Sequence, residues 1–188
     1  MTDLTDNKTL YAHIGARGWK AGRSDGEWRA TFAFSDRLVT LDGGISHNLH
    51  GFSTDLSAYV SYPDLSRMVD AILAATHKLP RQTIPLAANH GLNLRGSPQM
   101  TVGNIDDILD TALAWAREQD IETALMTCRT IQDHPRAVDH LAALALVGDV
   151  DRLRAYEYGY RDGVPSPFLP YVTIANVTRA RELAEART

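Results

Sequence analysis

One cysteine in the whole chain rules out an internal disulfide, so the fold must rest on buried apolar surface. No apolar run approaches the roughly 20 residues that span a bilayer, and no basic start leads into a short apolar stretch. Neither a membrane span nor a secretory leader is therefore expected. Runs of Lys or Arg are missing too: 19 basic residues lie scattered against 23 acidic ones, for a formal net charge of −4. A nucleic-acid surface or an anionic-lipid surface needs a basic patch, so neither partner is expected. The minimal parts of several chemistries are also lacking. There is no GxxxxGK[ST], GxGxxG, GxSxG or HExxH, which leaves nucleotide, dinucleotide, hydrolase and zincin sites without a scaffold. The expectation is a cytoplasmic protein that needs no cofactor.

What remains is ordinary globular material. The 188 residues are 44% hydrophobic and 22% charged, enough for one good core and a small second unit. Residues 5–19 have Leu10, Tyr11 and Ile14 on one helical face, with Thr5, Asp6 or Asn7 as cap and Gly18 as stop. The period then changes to two. Trp28, Ala30, Phe32 and Phe34 alternate with Arg29, Thr31 and Ala33, and Leu56, Ala58, Val60 and Tyr62 alternate with Ser57, Tyr59 and Ser61. Between them Leu38–Leu41 reads as a strand ended by Asp42-Gly43-Gly44 and followed by a polar loop, Ser46–Thr54. Three strands with short links predict an antiparallel meander with one wet face.

Asp64 caps a helix carrying Leu65, Met68, Val69, Ile72 and Leu73, which Pro80 stops. Thr83–Ala88 and Leu92–Leu94 then flank Asn89-His90-Gly91, a predicted hairpin turn, and Pro85 makes the first of these an edge or a bulged strand. The longest helical pattern follows. Ile105, Ile108, Leu109, Ala112, Leu113 and Ala116 form one stripe behind an Asn104 cap, with Asp106 and Asp107 in the first turn. A second stripe, Ile121, Ala124, Leu125 and Cys128, begins 16 residues beyond Ile105, roughly 160° round the wheel. The helix either breaks near Gln119–Asp120 or, the preferred reading, continues to Cys128 and offers two faces to two neighbours. From about residue 132 the pattern is helical only, with Asp149 as a cap and three prolines between Arg161 and Pro170. Residues 1–131 are expected to form an α+β domain and residues 132–188 a helical extension.

The expected fold is thus α+β, an antiparallel sheet in the order α-βββ-α-ββ-α covered by helices. The strands Trp28–Phe34 and Leu56–Tyr62 and the helices Leu65–Leu73 and Ile105–Ala116 carry a resemblance to the type III secretion chaperone-like fold, over roughly two-thirds of the chain. That resemblance implies a small acidic bacterial protein that dimerises and holds another polypeptide. The stretch from Asp133 to Thr188 departs from the compact chaperone, so a protein contact other than secretion is implied.

Candidate site residues follow. Asp42, His47, His50 and His90 are the only grouping with metal-ligand chemistry; HxxH in SHNLHG sets two imidazoles close but supplies no third ligand. Cys128 with His134 has the elements of a thiol nucleophile and its base, yet Cys128 falls on an apolar stripe, where a free cysteine is a small hydrophobe. Phe168, Leu169 and Tyr171, in a proline-restricted loop, offer rigid apolar area of the kind interfaces use, and Tyr59 lies on the strand face or edge suited to a dimer. A non-catalytic, dimeric protein-binding module is the leading expectation. A metal-dependent enzyme or ligand-binding protein using the Asp42–His50 loop is the alternative, and an immunity-type protein that blocks a toxin shares the physics of the first.

Overall fold

The computed structural model describes residues 4–24, 26–74, 84–95, 97–130, 136–164 and 172–187. Among them are seven helices and one open, five-stranded, wholly antiparallel sheet. The chain forms two compact units. One takes Met1–Ser61 and Pro85–Gln119, the other Tyr62–Ile84 and Asp120–Thr188.

The first unit holds the sheet, in the order β1 (Lys20–Ser24), β2 (Glu27–Ala33), β3 (Leu38–Asn48), β4 (Gly51–Ser61), β5 (Pro85–Leu92). Period-two patterning sorts its faces as expected. Ala30, Val39, Leu41, Leu56, Ala58 and Val60 all point one way and are 0% exposed. Helix α1 (Asn7–Ala16) lies over β1–β3 on that face, burying Leu10, Tyr11 and Ile14, and its Tyr11 ring stacks on Trp28 at 5.3 Å. Asp6 proves to be the cap, in a reciprocal capping box with Thr9. Helix α3 (Val102–Glu118) lies over β4 and β5 and buries Ile105, Leu109, Ala112 and Ala116. Its cap is Thr101; Asn104, expected in that role, is instead the third helical residue, whose side chain closes the capping box.

Several expectations are corrected here. Four strands, not three, precede the Leu65–Leu73 helix, and one strand rather than two follows it. Asp42-Gly43-Gly44 does not end β3, and the stretch read as a loop, Ser46–Thr54, is the distal part of a long hairpin turning at Leu49-His50. Gly43 is required there: its φ is 118°, and any Cβ would overlap the carbonyl of Asp55. Asn89-His90-Gly91 is no hairpin turn. The register passes from Ala58↔Asn89 to Leu56↔Leu92, so β5 holds one residue more than β4 between these pairs, a bulge within a continuous strand. The Asn89 side chain accepts from Gly91 N at 2.8 Å, a local bond that serves a bulge as well as a turn.

The helical pattern from Ile105 to Cys128 is two helices. Gln119 is extended, with ψ 126°, and Asp120 opens α4 (Ile121–Thr130) by accepting from Thr123 N at 3.0 Å. The second stripe belonged to a separate helix with its own cap. That helix lies in the second unit, with α2 (Pro63–Leu73), α5 (Ala137–Leu146), α6 (Val150–Arg161) and α7 (Ile174–Glu185). There α5, with Ala137 and every residue from His140 to Ala145 buried, is the central element against which α2, α4, α6 and α7 pack. Asn176 on α7 is buried too, and its amide donates to the Ile72 carbonyl of α2 at 3.3 Å.

Candidate functional site

The sheet's inner face is filled by apolar side chains, so its accessible chemistry lies on the outer face and at its edges. Cross-strand register sets Arg29, Asp42 and Ser57 in one row on the outer face, with His90 beside Ser57. Arg29 holds Asp42 with two bonds, 2.7 and 3.1 Å. His90 Nδ1 sits 3.0 Å from Ser57 Oγ, and its ring meets Tyr59 edge-on at 5.7 Å. The row joins a serine, a histidine and an aspartate, but the histidine does not bridge the other two. Asp42 is engaged by arginine on the far side of the serine, so the order of a charge-stabilised nucleophile is not met.

The expected metal residues are spread apart. His47, opposite Phe52, packs tilted against that ring at 4.5 Å, and His50 lies in the turn beside Leu49, whose side chain is fully exposed. His90 is level with Ser57, five residues along β4, so roughly 17 Å separates it from His47 at strand spacing. Alternation also sends these two imidazoles to opposite faces. No group of three metal-type ligands exists among the described residues. Tyr59 is half-buried on the outer face. Phe168, Leu169, Tyr171 and His134 lie outside the described residues.

Cys128 is buried, and burial pushes its thiol above the usual range. The same burial lowers the pKa of its neighbour His140, which bonds the Cys128 carbonyl and the Tyr156 hydroxyl. This buried polar set ties α4, α5 and α6 together.

A recess among the described residues belongs to neither cluster. A cleft of about 200 Å³ opens between the end of β5 and the flank of α3. Gly91, Leu92, Asn93 and Leu94 form one wall, and Asn104, Asp107, Ile108 and Thr111 the other. The helix residues are spaced i, i+3, i+4 and i+7, a single strip beside the core-facing stripe. Leu92 is buried and Ile108 and Leu94 half-buried, so the floor is apolar. Leu94 is pinned to β4, its carbonyl accepting from Thr54 N and its amide donating to Thr54 Oγ1, both at 2.8 Å. The strip offers no separate sequence signal, because its polar members read as the wet face of an amphipathic helix.

The architecture is that of an α+β protein in which a sheet-and-helix unit is joined to an all-helical one. The chain belongs to a family of unknown function (DUF6990), whose model matches residues 6–185. No curated protein and no solved structure matches it. Among the described residues no helix is long and apolar enough to cross a membrane.

Proposed function

We propose that the chain is a cytoplasmic protein-binding module of the type III secretion chaperone-like kind, working as a homodimer and holding a partner polypeptide without turnover. The observation that carries this reading is the cleft where β5, which pairs with no further strand among the described residues, runs beside a helix. An edge strand presents backbone donors and acceptors that another chain can satisfy, and a neighbouring helix supplies side-chain contacts; sheet-edge recognition domains are built that way. The net acidic charge and the antiparallel sheet packed with helices support the same reading.

The test is photo-crosslinking in the producing cell, with p-benzoylphenylalanine in place of the exposed Thr111, and in place of the exposed Asp151 on α6 as control. A discrete polypeptide adduct at position 111 that the control lacks is expected. Light scattering on the purified chain is expected to give twice the monomer mass. No adduct at 111, or equal adducts at both positions, would overturn binding through this cleft; a monomer mass would overturn the homodimer.

A further inference from the structure

The lining of the cleft restricts its occupant. Its volume, about 200 Å³, is below the roughly 300–1,000 Å³ of small-molecule sites and suits one or two side chains. Asn104 and Thr111 are already turned inward on their own helix: the Asn104 side-chain carbonyl accepts from Thr101 Oγ1 at 2.9 Å, and the Thr111 hydroxyl donates to the Asp107 carbonyl at 2.7 Å. The three aspartates of α3 differ. Asp106 binds His13 at 2.8 Å and Arg17 at 3.3 Å, and Asp110 binds Arg17 at 3.4 Å. Asp107, the one that lines the cleft, has no ion-pair partner among the described residues.

The strand side is equally selective. Pro85 and the bulge at His90-Gly91 break the regular edge of β5, and Lys20 and Arg23 charge the opposite edge, β1. Natural sheets use such devices to refuse indiscriminate strand addition. The stretch beyond the bulge, Leu92 to Leu94, is what remains beside the cleft.

We propose, resting on the protein-binding reading above, that this cleft takes a short extended segment of a partner protein that carries an apolar side chain and a Lys or Arg two residues apart. The segment adds to the edge at Leu92–Leu94. Side chains at i and i+2 of a strand share a face, so the apolar one seats on Leu92 and Ile108 while the basic one meets Asp107.

The probe is a random octapeptide display library panned on the full chain, with synthetic versions of the enriched peptides titrated by fluorescence anisotropy. Enriched peptides are expected to pair an apolar residue with Lys or Arg at i, i+2. Asp107→Asn should weaken them about 3-fold, the scale of a partly exposed ion pair, and Asp107→Lys should turn selection toward acidic peptides. N-methylation of one edge-pairing peptide amide should cost about 10-fold. Thr111→Arg, at an exposed position, should block binding while leaving the thermal melt unchanged. Absence of any enriched peptide, peptides indifferent to Asp107→Lys, or affinity unaffected by N-methylation at every amide would each overturn the proposal. A specific crosslink at position 111 alongside such a result would leave the protein-binding reading standing and reject only the extended basic segment.

Discussion

The Nδ1 of His140 lies 2.9 Å from the carbonyl of Cys128, and that contact fixes the proton on Nδ1. A carbonyl only accepts, so Nδ1 carries the hydrogen. Arg152 Nε only donates, and it points at the Tyr156 oxygen at 3.1 Å. The phenol oxygen lies 3.1 Å from His140 Nε2, and burial, which lowers the pKa of His140, favours the neutral imidazole that accepts the phenol proton in a hydrogen bond there.

Acid should break it. Burial lowers the pKa of His140 in the folded chain, so between that value and the unfolded one, near 6.5, the unfolded chain binds more protons and stability rises with pH. Its contribution is whole above about pH 6.5 and falls away as the pH drops through that window. Urea unfolding at pH 7.5 and 5.5 is expected to show the loss, and His140→Gln to show less of it. Equal losses in both proteins would contradict the assignment.

The thiol beneath that bond should be silent. Cys128 is 2% exposed and its ionisation is disfavoured by burial. A thiol-reactive dye is expected to label the native chain only at the rate of unfolding and the urea-denatured chain at once. Rapid native labelling would favour the nucleophile reading.

Glu157 is a second buried charge, held differently. It is 5% exposed and accepts from Thr178 Oγ1 at 2.9 Å, Arg161 Nη2 at 2.6 Å and Arg181 Nε at 2.7 Å, which fastens α6 to α7. Burial pushes its carboxyl pKa upward, but the Thr178 and Arg181 hydrogen bonds and the arginine charges outweigh this and leave it below the usual range. Removing one partner of a buried pair costs about 3–5 kcal/mol; Arg161 is largely exposed and Arg181 keeps Glu185 at 2.5 Å, so roughly 2 kcal/mol is expected for Glu157→Gln at pH 7. A depressed carboxylate stabilises above its unfolded pKa, near 4.3, and the gain is lost as pH falls through the folded value. The difference between variant and parent in urea should therefore shrink at pH 3.

These interior relationships were partly legible in the sequence. Strict alternation gave the strand at Trp28–Phe34, and the Leu10, Tyr11 and Ile14 spacing gave α1, because in both the buried face is wholly apolar. Lys20–Ser24 escaped notice because a charged edge strand has no apolar face to display. The distal hairpin escaped because part of its inner surface meets a polar side chain, Asn7, whose Oδ1 accepts from Ile45 N at 2.7 Å. The cleft was illegible for another reason: it exists only where a bulged strand end meets a helix flank distant in sequence, and neither segment encodes it alone.

Arg37 explains why α3 stops. Its Nη1 donates to the carbonyls of Ala116 and Gln119, each at 2.7 Å, supplying the helix end with a charged donor, while Nη2 binds Asp36. Arg37→Ala is expected to cost about 2 kcal/mol, since charge-assisted bonds to carbonyls contribute more than neutral ones. Arg37→Lys should recover part of that, having the charge without the fork. Denaturation midpoints check both; a neutral Arg37→Ala would mean that Asp120 alone sets the break.

The two adjacent glycines of β3 should respond differently to the same change. At Gly43 a methyl group meets the Asp55 backbone and the φ of 118° is itself unfavourable for an L-residue, so nothing can rotate away. At Gly44 the obstacle is the end of the Asn7 side chain, which can move, though it then loses its bond to Ile45 N. Gly43→Ala is expected to cost roughly 2–4 kcal/mol, from left-handed strain together with overpacking. Gly44→Ala should cost about 1 kcal/mol, the scale of one hydrogen bond. The decisive comparison is a double-mutant cycle with Asn7→Ala. The Gly44→Ala penalty should largely vanish in that background while the Gly43→Ala penalty persists, because coupling requires contact. Equal persistence of both would show that Asn7 does not set the course of the hairpin.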